Sequence, residues 1–538
     1  MRHVHLVPAG VVLVALAAIA SAAQLAHPAT GPKSAATVTR QVAVTSAARA
    51  CPPALSGGSG TVALITGSTG SSRSAGPGQA AGTGPAAGTG PAAGTGPAAG
   101  TGPAAGTRPA AGTGPAAGTG QAELTSLPPV GLPLRATSPI SQTSPGVLSL
   151  LTVPAAASAS KKGTSVPEGW SVNASGTMAP AMEAEVAESS GLADVRCGEP
   201  GSDIWFVGPG QKNGAAQIQL DLMNIDSLAA SVNISMITDA GPVQAGNDRG
   251  ITVPPHETVT EPLSSLAGDS SVVAIEVHTS VGRVAADVSE GSSHGGTVGW
   301  LPSAADPATR LVIPGVPPSS SAAGLFLVVP GGSNARVSVL AITPQGQYHP
   351  FGSQTVDLPG ESASYVALTP LGGTVAALEL ASNVPVTAAV LVPGSGAGAF
   401  TAATAPISEQ AVVAGNTSGP GLAASVVLSA PAGAARVRLT EIAEASSTGT
   451  SAAGASGSQV VSVLAGHTLV APAPAPPGSK RGIAFAIVIT PLPGSGLLYA
   501  ARVETRDQGT VVSIIPAASA LTTISLPPVR DSYEAISP

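Results

Sequence analysis

The stretch Gly291-Ser292-Ser293-His294-Gly295 matches the nucleophile motif G-x-S-x-G. A nucleophile elbow sets its serine on a sharp turn between a strand and a helix. Gly296-Thr297-Val298-Gly299 follows and is a poor start for a helix, so Ser293 with His294 carries only a remote serine-hydrolase reading and the chain is expected not to be an enzyme. His256, His278, His349 and His467 stand singly, without metal-ligand spacing. Asp203, Asp221, Asp226 and Asp239 lack the alternating Asp/Asn pattern of a calcium loop, so neither metal nor cofactor is expected. Asn173, Asn233 and Asn416 head Asn-x-Ser sequons, which a Ser/Thr-rich chain produces by chance. Large aromatic residues are rare, and Trp205, Trp300 and Tyr348 are the candidates for stacking on a sugar ring. The competing reading makes the tryptophans core anchors at module boundaries.

The two cysteines, Cys51 and Cys197, gain meaning from the N-terminus. Arg2, His3 and His5 precede an apolar segment from Leu6 to Ala23, the pattern of a signal peptide or signal anchor. In an exported chain a Cys51–Cys197 disulfide is the expected state, with an unpaired or intermolecular arrangement as the alternative. It would close a loop of 146 residues. It would also staple the strand-like Val62–Ile65 to the folded body.

The elements that must position these residues are strands. Ala-x-Val-x-aliphatic-x-x-Ile recurs at Ala230–Ile237, Ala335–Ile342 and Ala435–Ile442, and each copy opens with an aliphatic run ending in Gly208, Gly315 or Gly415. Ile218, Leu220 and Leu222 alternate with Gln217, Gln219 and Asp221, the period-two pattern of a strand with one face in a core. Pro-Gly pairs at 330–331, 359–360 and 393–394 punctuate the runs as turns. Met182 to Ser189 reads instead as a short helix. From Ala80 to Gln121 the hexapeptide Ala-Ala-Gly-Thr-Gly-Pro runs seven times with Arg108 and Gln121 as departures. With no large apolar side chain to bury, it reads as a disordered spacer.

The predicted fold is all-β: three tandem immunoglobulin-like β-sandwich modules behind an export segment and a disordered Pro/Gly/Ala linker. The expected boundaries are 1–26 for the signal peptide or anchor, 27–70 for an N-terminal segment with a short strand and 71–165 for the linker. The modules follow at 166–300, 301–405 and 406–530. A closed, propeller-like ring of the three copies is the alternative. Charged residues are only 9% and aromatic residues 2% of the chain, and the net charge of −7 is spread thinly. No basic stripe offers an electrostatic footprint for nucleic acid.

Cys51-Pro52, the stretch Trp170–Ala187, Cys197-Gly-Glu-Pro200 and Asp203-Ile-Trp-Phe-Val-Gly208 together resemble an uncharacterised family of secreted or membrane-anchored actinobacterial proteins, a domain of unknown function. The resemblance covers most of Cys51–Pro516 apart from the low-complexity insertion. It implies an envelope location and supplies no catalytic residues. The functional expectation is a non-catalytic, extracytoplasmic scaffold that touches an unknown envelope protein or cell-wall glycan and reaches the membrane through its N-terminal segment. A carbohydrate-binding or wall-modifying accessory is the alternative.

Overall fold

The computed structural model describes residues 40–526 apart from 67–119 and shorter segments, among them 189–193, 244–249, 293–297, 445–455 and 477–483. The apolar segment Leu6–Ala23, most of the hexapeptide repeat and the pair Ser293/His294 lie outside the described residues. No helix among the described residues is long and apolar enough to cross a membrane.

The described chain is almost entirely β, and its strands build four sandwiches, not three. The first comprises β1 (Ser46–Cys51), β2 (Gly60–Thr66), β3 (Gln121–Leu127), β4 (Ser138–Pro139), β5 (Val147–Val153), β6 (Gly169–Ser175), β7 (Glu183–Glu188) and β8 (Asp194–Arg196). Its two sheets run β1-β6-β3-β4 and β5-β2-β7-β8. The second repeats this topology with β9 (Asp203–Pro209), β10 (Ala215–Met223), β11 (Ala230–Thr238), β12 (Ile251–Val253), β13 (Thr258–Pro262), β14 (Val272–Val281), β15 (Ala285–Ser292) and β16 (Val298–Leu301). Its sheets are β9-β14-β11-β12 and β13-β10-β15-β16.

The third uses β17 (Ala308–Val316), β18 (Ala323–Val329), β19 (Ala335–Thr343), β20 (Thr355–Leu358), β21 (Ser362–Leu368), β22 (Ala376–Val392) and β23 (Ala399–Ala402). The long β22 serves both sheets, pairing β17 and β19 with its first half and β18 and β23 with its second. The fourth has β24 (Ala411–Thr417), β25 (Leu422–Ala430), β26 (Ala435–Ala443), β27 (Ser456–Val463), β28 (His467–Pro472), β29 (Ala484–Pro491), β30 (Tyr499–Arg506) and β31 (Thr510–Pro516). Its sheets are β24-β29-β26-β27 and β28-β25-β30-β31. Two short strands, Arg40–Ala43 and Thr523–Leu526, pair antiparallel as a small unit of their own.

One cross-strand pair identifies the four copies. An alanine facing each core stands opposite a leucine: Ala184 and Leu64, Ala286 and Leu222, Ala388 and Leu327, Ala500 and Leu428. All eight side chains are buried. With so few aromatic residues, each core is filled by small aliphatic contacts of this kind.

The extra sandwich corrects three expectations. Gln121–Leu127 and Val147–Val153 are strands, although compositional averaging places them in the spacer; Ala122 and Leu124 alternate into the core between polar neighbours. Gly169–Ser175 belongs to the first sandwich and not to the module that follows. Met182–Ser189 is mostly strand β7, with Ala184 and Val186 in the core and Glu183 and Glu185 on the other face. Its Glu/Ala composition favours a helix, but burial on both faces of a sheet outweighs that weak local preference. The spacer segment 67–119 joins β2 to β3 inside the first sandwich.

The sandwiches stack head to tail. The outer face of the sheet containing β9 and β14 meets the sheet containing β18 in a patch of Val207, Val272, Ala274, Phe326, Val328 and Ala389. Ala50 and Leu127 of the first sandwich meet Met223 and Ala285 of the second in the same sense. Val312, Ile342 and Ala377 of the third meet Tyr499 of the fourth. Val412, Ala414, Ala486 and Val488 of the fourth return to Ala63, Ile65 and Leu148 of the first. A head-to-tail contact repeated at a suitable rotation closes a ring. Here closure takes four sandwiches from one chain.

Candidate functional site: the ring axis and its closing seam

The last strand of each sandwich lies toward the middle of the ring: β8 packs near β31, β16 near β23, and β23 near β31. Between them is a cavity of roughly 240 Å³ lined from all four sandwiches, including Arg196, Asp287, Trp300, Thr404 and Ile515. Asp287 alternates with the core residues Ala286 and Val288 and therefore points out of its own sandwich. It stands directly opposite Asp221 on β10. Burial, then the charge of Asp221, pushes the Asp287 carboxyl well above its ordinary range, against the pull of Arg196. Burial likewise raises Asp221 to about 6, although Thr260 Oγ1 donates to it at 2.6 Å.

Beside the axis, the fourth and first sandwiches close the ring through charge. A bulge in β24 at Ala414-Gly415 frees two backbone N–H groups from the ladder. Both donate to the Glu185 carboxylate, each at 2.8 Å. Asn416 holds the bulge from inside, donating through Nδ2 to Val413 O at 3.2 Å and Phe485 O at 3.0 Å. The fully buried Arg502 donates to Asp194 through both terminal nitrogens at 3.0 Å and to Glu504 at 2.9 Å. Burial raises Glu185 to about 7, opposed by Arg502 and the two N–H donors. A second buried cluster sits within the first sandwich, where Glu183 accepts from Arg49 and Arg196. Burial would push Glu183 up, but the two guanidinium groups hold it below the usual carboxylate value.

Cys51 and Cys197 are bonded, with Cα atoms 4.3 Å apart. The bridge joins the end of β1 to the residue after β8, so it fastens the first sandwich across its insertion.

The aromatic candidates separate. Trp300 is 7% exposed and packs with the core of the first sandwich, while Trp205 is 5% exposed beside an open groove shared with Asp203, Glu276 and Asp306. Neither shows enough ring face for stacking on a surface glycan. Tyr348, at 38% exposed, stays on the surface. A larger polar groove of roughly 670 Å³ runs along the first and second sandwiches, lined by Gln121, Glu123, Asn173 and the ion pair Asp226–Arg283.

The scattered histidines stay scattered: His278 pairs with Asp203 at 2.6 Å, His349 contacts Val339 O, and His467 contacts Ala465 O. Among the described residues no cluster of three His, Cys, Asp or Glu could hold a metal. Asp239 accepts from Ser271 N at 3.0 Å. Asn416, which heads a sequon, is buried as the brace of the bulge.

Sequence reasoning missed Glu185, Asp194, Arg502 and Thr404. The available signal was a charge inside an otherwise apolar strand, as in Ala500-Ala501-Arg502-Val503, which a soluble sheet face does not require.

No curated protein and no solved structure matches the chain. A family model described as a family of unknown function, DUF5719, matches residues 155–474, from the first sandwich into the fourth, and the chain belongs to that family.

Proposed function

We propose that this protein is a non-catalytic, exported envelope scaffold that presents its loops to an envelope protein or cell-wall glycan and is held at the membrane by its N-terminal segment. The observation that carries this reading is the use of the sheet faces. In each sandwich they are spent on the neighbours in the ring, and the buried cluster of Arg502, Asp194 and Glu504 is spent on closing it. Loops and edges are what remain for partners, a common use of rigid β frameworks. The Cys51–Cys197 bond supports export, because such bonds persist in oxidising compartments.

Crosslinking in intact cells tests the reading. Recovery of one envelope protein or wall fragment through loop residues supports it, and a cytoplasmic pool with free thiols overturns it. Labelling by a fluorophosphonate probe that fails on Ser293→Ala would overturn the non-catalytic part. The glycan alternative now rests on Tyr348 among the surface aromatics considered. Retention on purified wall polysaccharide that falls at least tenfold in Tyr348→Ala would favour it.

A further inference from the structure

We infer that the free edge of β27 in the fourth sandwich is a docking site for one added β-strand, an extended peptide segment with acidic side chains at alternate positions. The edge is unlike its counterparts. In the second and third sandwiches the strand beside the Ala-x-Val strand is broken into short pieces, Gly241–Pro242 with Ile251–Val253 and Gly346–Tyr348 with Thr355–Leu358. In the first it is the short strand Ser138–Pro139. β27 instead pairs with β26 along its whole length without a bulge, and its sequence Ser-Gly-Ser-Gln-Val-Val-Ser-Val holds neither charge nor proline. Sheet proteins blunt free edges with short strands, charges, prolines or bulges, because the unpaired N–H and C=O groups accept another strand. β27 carries none of these guards. It is the last strand of its sheet and packs on β25, β26 and β28 of its own sandwich.

Charge names the occupant. Arg336 of the third sandwich and Arg436 of the fourth hold the same place in the motif, directly after its first alanine. Arg336 stands opposite Asp357 in the ladder and donates to it at 2.8 Å. Opposite Arg436 stands Ser462, and a second arginine, Arg438, takes the place of Ser338 and stands opposite Val460. Neither the exposed Arg436 nor the half-buried Arg438 has an ion-pair partner among the described residues. Adjacent strands lie about 4.8 Å apart, so carboxylates on a strand added beyond β27 can meet these guanidinium groups above Ser462 and Val460. Val460, 50% exposed, gives that strand an apolar side chain to cover. A second copy docked edge to edge would set two arginine pairs on one face, a like-charge cost that an acidic segment avoids. The inference deepens the scaffold reading by giving it a surface, and rests on it only for where the partner resides. A synthetic peptide tests the edge whatever compartment the protein occupies, so the two readings fail separately.

The probe is a capped octapeptide of alternating threonine and glutamate bearing a fluorophore, titrated with the full-length protein while anisotropy is read. Saturable binding with a Kd of about 100 μM or tighter is expected at low salt, and none for the same peptide with lysine in place of glutamate. Arg436→Gln combined with Arg438→Gln should weaken binding about threefold to tenfold. Ser462→Asp, which gives Arg436 the neighbour that Arg336 already has, should weaken it by a similar factor. Thermal melts confirm that each variant is folded. Bound peptide should slow amide hydrogen exchange in Ser456–Val463 and leave Thr355–Leu358 unchanged. The inference is overturned by a glutamate peptide that fails to bind, by a lysine peptide that binds as tightly, by affinities that neither variant changes, or by unchanged exchange in Ser456–Val463. A protein that is dimeric by light scattering, with this strand protected before any peptide is added, assigns the edge to a second copy and overturns it as well.

Discussion

Where the third sandwich meets the fourth, the bulge Pro314-Gly315 of β17 faces Ala501; where the fourth meets the first, the bulge Ala414-Gly415 of β24 faces Glu185. The backbone positions are equivalent, and the residue facing the bulge follows the core alanine in each case, Ala500 or Ala184. The chemistry differs because of one atom. Ala414 offers an N–H that needs an acceptor, and Glu185 supplies it; proline has none, and a methyl group suffices. With one backbone donor fewer at Pro314, the third seam is closed without ions, by apolar contacts and by Thr468 Oγ1 donating to Ile342 O at 2.7 Å, while the closing seam is ionic. The closing contacts join residues 229, 230 and 308 positions apart.

The comparison can be broken most severely at Arg502. Arg502→Ala strands Asp194 and Glu504 as buried carboxylates, and urea unfolding should show a loss of about 3–5 kcal/mol. A loss under about 1 kcal/mol would mean that the ionic seam is dispensable. The glycines sharpen the contrast. An added Cβ at Gly315, where φ is +76°, would fall 2.4 Å from the Ala501 Cβ, whereas at Gly415 it would meet Glu185 Oε2 at 3.1 Å. Gly315→Ala should therefore cost about 3 kcal/mol, combining overpacking with left-handed strain, and Gly415→Ala about 1 kcal/mol. Reversal of that order in thermal or chemical melts would contradict the packing described.

Removing the acceptor alone is milder. Glu185→Ala leaves two buried N–H groups unpaired and should cost about 2 kcal/mol at neutral pH, while Ala501→Ser at the apolar seam should change little. The smallest effect is titration. Because Glu185 holds its proton up to about 7 in the folded state, the native protein binds more protons than the unfolded chain between the ordinary carboxylate value and that point. Stability therefore falls as pH rises through this window. Asp221, raised to about 6, and Glu290, raised to about 8 by burial, act in the same direction. Melting temperature should be higher at pH 5.5 than at pH 8, and the difference should shrink in Glu185→Gln. A flat profile that the variant leaves unchanged would remove Glu185 from the account.

Legibility in the sequence followed chemistry that is local. The Ala-x-Val motif lands on β11, β19 and β26, equivalent strands of three sandwiches. The fourth equivalent, β3, reads Gln-Ala-Glu-Leu-Thr-Ser-Leu, with leucine where the others carry valine and serine where they carry an aliphatic residue, and the repeat before it dominates any composition window. The candidate site was largely illegible. Trp300 was visible as a rare aromatic residue, but its burial against the core of the first sandwich comes from the packing of one sandwich on another.

What the residues determine by themselves is the β character and its modular recurrence, because side-chain alternation and turn chemistry act over a few residues. The number of sandwiches in the ring, its closure and the matching of Glu185 to the bulge at Gly415 belong to the tertiary structure. Each depends on which outer face meets which neighbour, and that choice is made by groups hundreds of residues apart competing to bury the same surfaces.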